Sequence, residues 1–319
     1  MDIGRLVDKK IWLAPLAGYT DISFRSLCKI HGADVLVSEM VSAEGLVRRQ
    51  KRTLEYLKFS LFEKPFGVQI FGSNPEIMSE AAKIACEFEV DFIDINMGCP
   101  VKKVCNRGAG AALMKTPIKA SEIISKMKKV TESFGIPLST KIRSGWDEKS
   151  VNAIKFSKMV EENGSDIVIL HPRTKERMFS GHSDWDLIKE MKSLLNIPVV
   201  GNGDINSPEK ARKMYDYTKC DSVMIGRGAV GYPWIFEEIK NLLEKGYYIE
   251  KSSKEKGDII REHIESVIEE KGEKRTLITI RSHMHQYIKG IEGAAKAREK
   301  LNHCKAISEL YEILESFFR

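Results

Sequence analysis

The sequence predicts an α/β protein in which a closed barrel of parallel strands is followed by a small all-helical C-terminal domain. Three observations carry this prediction. Short β-branched apolar runs recur along the chain, helical patterns separate them, and no strand signal follows Trp234. Strand and helix in alternation, without hairpin signals, indicate a parallel sheet, and eight such units have the size of a TIM (β/α)8 barrel.

The predicted strands begin where the apolar runs begin. The eight starting positions are Ile11, Val35, Phe66, Phe92, Leu138, Ile167, Pro198 and Ser222. Three of the intervening helices have strong start signals, because a side chain able to cap a helix stands before a proline at the first helical position. These pairs are Asn74 with Pro75, Thr116 with Pro117, and Ser207 with Pro208.

After Trp234 the apolar spacing is that of amphipathic helices, which are broken at Gly246, Gly272 and Gly290. The sequence therefore predicts a domain boundary near residue 245. A barrel-shaped catalytic domain is expected over residues 1–245, and a helical domain over residues 246–319.

Composition restricts the class of protein. The chain has 319 residues, of which 42% are hydrophobic and 30% charged, so a soluble globular protein is expected. No apolar run approaches the roughly 20 residues of a membrane span, and the stretch from Met1 to Lys10 lacks the apolar centre of a signal peptide. We therefore expect a cytoplasmic protein without a membrane partner. The six cysteines form no zinc or disulfide pattern, so free thiols and no metal site are expected.

The positive charge is concentrated near the C-terminus. The segment from Lys271 to Lys305 has nine Lys or Arg against three Glu, a local net charge of +6 that equals the net charge of the whole chain. Such a segment is either a solvated helix face or a surface that binds nucleic-acid phosphates. A second basic cluster is Arg48, Arg49, Lys51 and Arg52.

The residues just after each apolar run should form the active site, since barrel enzymes place it at the carboxyl ends of their strands. These positions are polar and glycine-rich: Pro15, Leu16 and Ala17 after the first strand, Gln69, Asn96, Cys99, Lys141, His171, Arg173, and then Asn202-Gly203-Asp204 and Gly226-Arg227-Gly228 after the last two. Loops after the seventh and eighth strands commonly hold a phosphate in this fold. A phosphorylated cofactor is therefore predicted.

Two of these side chains can be interpreted in more than one way. Strand alternation points Lys141 into the barrel mouth, where it could stabilise negative charge or form a Schiff base, although it could also be a solvated lysine. Cys99 could be a small buried apolar residue. Its place between Gly98 and Pro100 instead favours a role as a proton donor, since a thiol with a pKa of roughly 8.5 is protonated at neutral pH. Nearby basic residues would lower that pKa if they faced the sulfur.

Four segments together resemble the tRNA-dihydrouridine synthases, over nearly the whole chain. They are Ala14–Asp21, Asn96–Pro100, Lys141–Trp146 and Met224–Gly228. The Asn-x-Gly-Cys-Pro element after a barrel strand is the most specific of them. The segment from Thr279 to Tyr287 also resembles the C-terminal Arg-Lys-His element of the bacterial B-type branch, with Ser282 in place of the usual Lys.

The resemblance implies FMN in the barrel mouth, NADPH as the reductant and a uridine of tRNA as the substrate, with Cys99 as the proton donor and no obligate protein partner. The residues that it implies for cofactor binding are Pro15, Leu16, Ala17, Gln69, Asn96, Lys141, His171, Asn202, Gly203, Asp204, Gly226 and Arg227. Asn96 and His171 could contact the uracil instead. Candidates for tRNA contact are Arg173, Arg281, His283 and Tyr287.

Three other functions fit parts of the pattern. A flavin barrel of the dihydroorotate dehydrogenase type would act on a small molecule and use the helical tail only for packing. A lyase would use Lys141 as its Schiff base. A non-catalytic RNA-binding protein on a barrel scaffold would bind tRNA without a flavin.

Overall fold

The computed structural model describes residues 3–318 and contains a closed parallel barrel. Its strand segments are β1 Ile11–Leu13, β2 Leu36–Val37, β3 Val41–Ser42, β4 Phe66–Phe71, β5 Phe92–Met97, β6 Leu138–Gly145, β7 Ile167–Thr174, β8 Val199–Asn202 and β9 Ser222–Ile225. All ladders are parallel, in the order β1-β9-β8-β7-β6-β5-β4-β2. A bridge between Trp12 and Val35 joins the two ends and closes the barrel. The predicted fold class is confirmed.

The second barrel strand differs from the prediction of one continuous run from Val35. Two short segments, β2 and β3, both pair with β4, and the chain between them leaves the ladder. Ser38 causes the break, because its hydroxyl accepts the hydrogen bond that Gln69 N–H would otherwise give to a neighbouring strand carbonyl, at 3.0 Å. The displaced chain brings the carboxylate of Glu39 to the backbone N–H of Gly18, 2.6 Å away, in the loop that follows β1.

Helices alternate with the strands as expected. The α-helices are α1 Gly4–Val7, α2 Ile22–Ile30, α3 Ala43–Val47, α4 Lys51–Leu54, α5 Pro75–Cys86, α6 Lys102–Cys105, α7 Pro117–Ser133, α8 Ala153–Glu162, α9 Trp185–Leu194, α10 Pro208–Thr218 and α11 Ile235–Lys245. All three helices begin at the predicted prolines, but only two of the three predicted caps form. Asn74 and Ser207 cap their helices with a side-chain oxygen, whereas the Thr116 hydroxyl donates to Leu113 O instead.

The lower half of the barrel is filled with apolar side chains. Trp12, Phe92, Ile169 and Met224 are fully buried there with their neighbours, and Trp12 packs edge-on against Phe92 at 5.2 Å between ring centroids. Helix α1 lies beneath them, and its Leu6 carbonyl accepts from the Trp12 indole N–H at 2.8 Å. Burying each such side chain contributes about 1.5–3 kcal/mol, and together they close the barrel floor.

The C-terminal part is helical throughout the residues described. Its helices are α12 Ser253–Lys271, α13 Glu273–Thr279, α14 Arg281–Tyr287, α15 Ala294–His303 and α16 Ile307–Phe317. Gly246 ends α11 in the left-handed conformation, with φ of 83°, at the position where the boundary is predicted. No helix in residues 3–318 combines the length and apolar character that crossing a membrane requires. Met1 and Asp2, in the stretch without a signal-peptide pattern, and Arg319, at the end of the predicted helical domain, lie outside the described residues.

Candidate active site

Polar side chains of β6 and β8 meet across the open end of the barrel. Lys141 of β6 reaches across the mouth, and its ammonium donates to Asn202 Oδ1 of β8 at 2.9 Å. Asn202 is fixed in turn, because its Nδ2 donates to Met224 O at 2.7 Å. The strand alternation that predicts an inward Lys141 is therefore confirmed. Both polar atoms of the Asn202 amide are occupied within the protein, so its main effect is to hold Lys141.

Lys141 is a cation in a desolvated place. Burial lowers its pKa to about 8, while the neighbouring carboxylate of Asp94 raises it and the guanidinium of Arg143 lowers it further. At neutral pH the amine still holds its proton, since the pKa lies above 7. A protonated ammonium suits stabilisation of negative charge, whereas attack on a carbonyl requires the free amine.

The turn that carries Cys99 is fixed from two sides. The side-chain oxygen of Asn96 accepts from the backbone N–H of Gly98 at 3.2 Å and of Cys99 at 2.9 Å. From the other side, Arg143 Nε donates to Gly98 O at 2.8 Å. The carbonyl of Cys99 accepts from Ala111 N at 3.1 Å. Both backbone polar groups of Gly98 and of Cys99 thus have a partner, which fixes the backbone that carries the thiol.

The Cys99 thiol is protonated at neutral pH. Burial raises its pKa above the ordinary value, and the guanidinium of Arg143 opposes this only in part. The basic residues that follow in sequence, Lys102, Lys103 and Arg107, are exposed and do not act as the charge that lowers this pKa. A half-buried thiol that keeps its proton suits an acid and does not suit a nucleophile, which would need the thiolate.

His171 is neutral, and its tautomer follows from one contact. Arg173 NH1 lies 3.1 Å from His171 Nε2, and a guanidinium only donates, so Nε2 accepts and the ring proton is on Nδ1. Burial lowers the pKa of His171 well below its ordinary value, and the cations Lys141, Arg143 and Arg227 lower it further. The ring offers one N–H donor at the mouth and no transferable excess proton.

The loops after β8 and β9 form the part of the rim suited to an anion. Gly203 has φ of +129°, and a Cβ there would lie 2.3 Å from Ser183 Oγ, so the fold itself requires glycine. Gly226 is different, because an added Cβ would make only ordinary contacts, at 3.7 Å with Ala14 and 3.8 Å with Leu16. The fold thus leaves room for a methyl group at Gly226, beside the exposed Arg227, whose guanidinium stacks on the ring of Phe179 at 4.4 Å.

The loop after β1 closes the opposite wall of this space. Gly18, with φ of +81°, turns the chain so that Leu16 N–H can bond to Thr20 Oγ1 at 3.0 Å. Pro15 and Leu16 are half-buried beside the β9 loop, and Ala17 is exposed. The loop after β1 therefore adjoins the loop after β9, with Ala14 and Leu16 beside Gly226.

Two predicted site residues serve to hold the loop between β7 and α9. Arg173 is only 3% exposed and makes five hydrogen bonds, to Ser180 O, His171, Ser183, Gly181 O and Asp204. Asp204 accepts from Arg173 and from Ser183 N, and although burial raises its pKa, these two partners bring it below the ordinary value. The donors of Arg173 are therefore used up inside the protein, which does not suit the expected contact with tRNA.

The three candidates on α14 also lie differently from what an RNA surface requires. His283 is 1% exposed and packs on Phe24 at 4.6 Å and on Tyr19 at 5.1 Å, while Tyr287 is 5% exposed and bonded to His263. His283 therefore packs the C-terminal helices against the barrel, whereas Tyr287 is buried against His263 of α12. Only Arg281 is partly exposed. Sequence spacing places all three on one short helix, but the face that the barrel covers follows only from the tertiary contacts.

Sequence reasoning missed Asp94 and Arg143. Asp94 is completely buried, and its carboxylate accepts from Gln69 Nε2 and Ser139 Oγ, both at 2.6 Å. Arg143 also donates to Thr174 O and Met178 O and so ties the Cys99 turn to the β7 loop. A signal was present for both: each stands two positions from a predicted site residue on the same strand and thus on the same face.

Comparisons with known proteins identify the family. The dihydrouridine synthase family model matches residues 12–319. The tRNA-dihydrouridine synthase B of Pasteurella multocida (strain Pm70) is 38% identical over 310 residues, which cover 97% of this chain and 92% of that protein. The tRNA-dihydrouridine synthase B of Vibrio vulnificus (strain CMCP6) is 38% identical over 320 residues, covering 100% of this chain and 98% of that protein.

A solved structure resembles the barrel at much lower identity. The complex of 2-naphthoyl-CoA reductase with 2-naphthoyl-CoA gives a TM-score of 0.59 at 14% identity, over 77% of this chain and 51% of that one. This likeness concerns the fold alone. The family model and the two relatives cover nearly the entire chain, and the chain therefore belongs to the dihydrouridine synthase family, the oxidoreductases that make dihydrouridine from uridine.

Proposed function

We propose that this protein reduces uridines of tRNA to 5,6-dihydrouridine, with FMN in the barrel mouth, NADPH as the reductant and Cys99 as the proton donor. One observation carries the proposal: a protonated thiol is held on a doubly fixed turn at the rim of the mouth that also contains Lys141. The proposed reaction adds a hydride to carbon 6 of the uracil and a proton to carbon 5, which saturates one carbon–carbon bond.

The residues around the mouth fit FMN. The missing side chain at Gly226 lets backbone N–H groups approach a phosphate closely, and Arg227 can add a charge-assisted contact. Lys141 and the amides of Gln69 and Asn96 offer N–H donors to the edge of a ring system. Pro15, Leu16, Ala17, His171, Asn202, Gly203 and Asp204 complete or support the walls. When bound, the flavin supplies the hydride chemistry, which no side chain of the protein can perform.

The side chains of the protein contribute hydrogen-bond donors that stabilise the charged base, and one proton that is transferred to it. Hydride addition to the base leaves enolate-like charge, which Lys141, an Asn96 N–H and the Nδ1–H of His171 can stabilise without reorganisation. Cys99 Sγ–H then gives its proton to carbon 5, and burial keeps the thiol protonated for this step. The thiolate that remains takes a proton from solvent through the exposed side of the rim.

A uridine in folded tRNA must leave its stack to reach the mouth, at a cost of a few kcal/mol. Phosphate contacts can offset this cost. The exposed cations of the C-terminal helices are suited to such contacts: Lys274, Arg275, Lys289, Lys296, Lys300 and Lys305. Arg48, Arg49, Lys51 and Arg52, exposed beside β3, form a second basic surface. We assign residues 1–245 to catalysis and 246–319 to tRNA binding, and place the protein in the cytoplasm, where tRNA is available.

An anaerobic experiment tests the function. The purified protein is reduced with NADPH, tRNA lacking dihydrouridine is added, and the flavin absorbance is followed. We expect rapid reoxidation by this tRNA and none by fully modified tRNA. A yellow protein whose reduced flavin ignores tRNA would favour a small-molecule flavin enzyme. A colourless protein that FMN cannot reconstitute would favour the Schiff-base lyase or the RNA-binding protein without catalysis.

A further inference from the structure

A chain of hydrogen bonds runs under the active site from Asp94 to the Cys99 turn. The carboxylate of Asp94 accepts from Gln69 Nε2 at 2.6 Å. Gln69 Oε1 accepts from Asn96 Nδ2 at 2.7 Å, and Asn96 Oδ1 accepts from the backbone N–H of Cys99 at 2.9 Å. The first three side chains are 0%, 1% and 8% exposed, so water does not compete for these bonds.

The two ends of this chain fix the direction of every bond within it. An ionised carboxylate only accepts, so Gln69 must turn its NH₂ group toward Asp94. Its oxygen then faces Asn96, which must in turn present its own NH₂ group there. The Asn96 oxygen is left facing the turn, where the backbone N–H groups of Gly98 and Cys99 can only donate. A reversed amide anywhere would place two donors or two acceptors face to face in a buried site.

Asp94 has the charge state that this arrangement requires. Burial raises its pKa to about 6, against the hydrogen bonds from Ser139 and Gln69 and the charge of Lys141. The carboxyl is therefore ionised at neutral pH. Both of its oxygens have a donor, since Ser139 Oγ–H occupies the one that Gln69 leaves.

We propose that Asp94 is a positioning residue for proton transfer: it sets the direction of the Gln69–Asn96 amides and thereby holds the Cys99 turn. This inference rests on the proposed function, because the thiol that it positions is the proposed proton donor. A second consequence concerns ligand recognition. Because the Asn96 oxygen already accepts from Gly98 N–H and Cys99 N–H, Asn96 can offer a ligand only an N–H group, which suits a carbonyl oxygen and not the N–H edge of a ring.

Three variants distinguish an effect of the amide direction from an effect of the Asp94 charge and from a general loss of packing. Asp94→Leu removes the acceptor in a side chain of similar shape. Asp94→Asn keeps an acceptor for Gln69, because its NH₂ group can point to the Ser139 hydroxyl, which can also accept. Thr140→Val is the matched control, since Thr140 is equally buried on the outer face of β6 and loses a hydrogen bond of similar length, 2.9 Å to Ser165.

The readout is the limiting rate at which tRNA reoxidises the reduced flavin, taken for each variant at its optimal pH. We expect Asp94→Leu to lower this rate by at least about tenfold, and by more than it lowers the rate of flavin reduction by NADPH, with the half-saturating tRNA concentration nearly unchanged. Asp94→Asn and Thr140→Val should stay within about threefold of wild type. A Leu variant as fast as wild type, or an Asn variant as slow as the Leu variant, would overturn the proposal.

If Asp94→Leu does not fold, a milder pair keeps the test decisive. In Asp94→Asn combined with Ser139→Ala, the new NH₂ group loses its acceptor and both amide directions become comparable. The double variant should reoxidise its flavin much more slowly than either single variant. If the two single effects are merely additive, Asp94 does not set the direction of the amides. Failure of the proposed function looks different: a Cys99→Ala enzyme that still reduces tRNA normally would remove the acid role whatever Asp94 does.

Discussion

Gly226 offers a test of the cofactor site that leaves the fold intact. At this position φ lies outside the left-handed region, and a Cβ would meet nothing nearer than Ala14 at 3.7 Å. Gly226→Ala therefore introduces no clash within the protein. Because alanine has fewer unfolded conformations than glycine, the variant should be as stable as wild type or more stable by roughly 0.4–1 kcal/mol.

The same methyl group would occupy the space that a phosphate needs. Displacing one charge-assisted hydrogen bond between backbone N–H and phosphate costs about 1.5–3 kcal/mol. Since about 1.4 kcal/mol corresponds to tenfold in affinity, FMN should bind roughly 10- to 100-fold more weakly. The expected variant is thus a folded protein that loses its yellow colour on dilution.

Two measurements on each protein check this reasoning: the midpoint of urea unfolding without cofactor, and FMN affinity from quenching of flavin fluorescence. Gly228→Ala is the matched control, because its Cβ would lie 2.1 Å from Ile205 O. That variant should unfold about 1–3 kcal/mol more easily. If Gly226→Ala binds FMN as tightly as wild type and is equally stable, the phosphate of FMN does not bind at this loop.

Three further predictions concern the acid, the buried carboxylate and the RNA surface. Cys99→Ala should keep its flavin and its NADPH oxidation while tRNA reduction falls by roughly 10²–10⁴, and normal turnover would exclude the acid role. The pKa of Asp94 is raised to about 6 in the folded protein, so the folded state holds this proton more tightly than the unfolded chain does. The resulting stabilisation is complete below the unfolded pKa and is lost as the pH rises through 6. The urea midpoint of wild type should therefore fall relative to Asp94→Asn between pH 4 and pH 6, and a constant difference would contradict the shift. The half-saturating tRNA concentration should rise steeply with salt while NADPH reduction changes little, and Lys274→Glu with Arg275→Glu should flatten that dependence, whereas an unchanged slope would place the RNA elsewhere.

Local pattern was sufficient for the barrel and much of its rim. Apolar runs locate the strands because a strand of a parallel barrel is buried on both faces. Alternation then places Lys141 inside the mouth, and the position of Cys99 after a strand places it on the rim. These inferences need only neighbours in sequence.

Features that depend on distant contacts were not predictable in this way. His283 and Tyr287 have residue types suited to RNA, yet both are buried: His283 packs on Phe24 of the barrel helix α2, and Tyr287 packs on His263 of α12. Asp94 was overlooked because its hydrogen-bond partners are distant in sequence. Gln69 lies 25 positions earlier and Ser139 lies 45 positions later, and only the fold brings them together. The break in the second strand depends likewise on Ser38 meeting Gln69.

The closed floor of the barrel has a kinetic consequence. Because Trp12, Phe92 and the helix beneath them fill that end, the opposite opening is the only entrance that this packing leaves to the barrel interior among the described residues. In the proposed reaction, the nicotinamide of NADPH and the extruded uracil must then enter by this same opening, one after the other. Initial-rate plots at several fixed NADPH concentrations should give parallel lines, and each reactant at high concentration should slow the enzyme by occupying the place of the other.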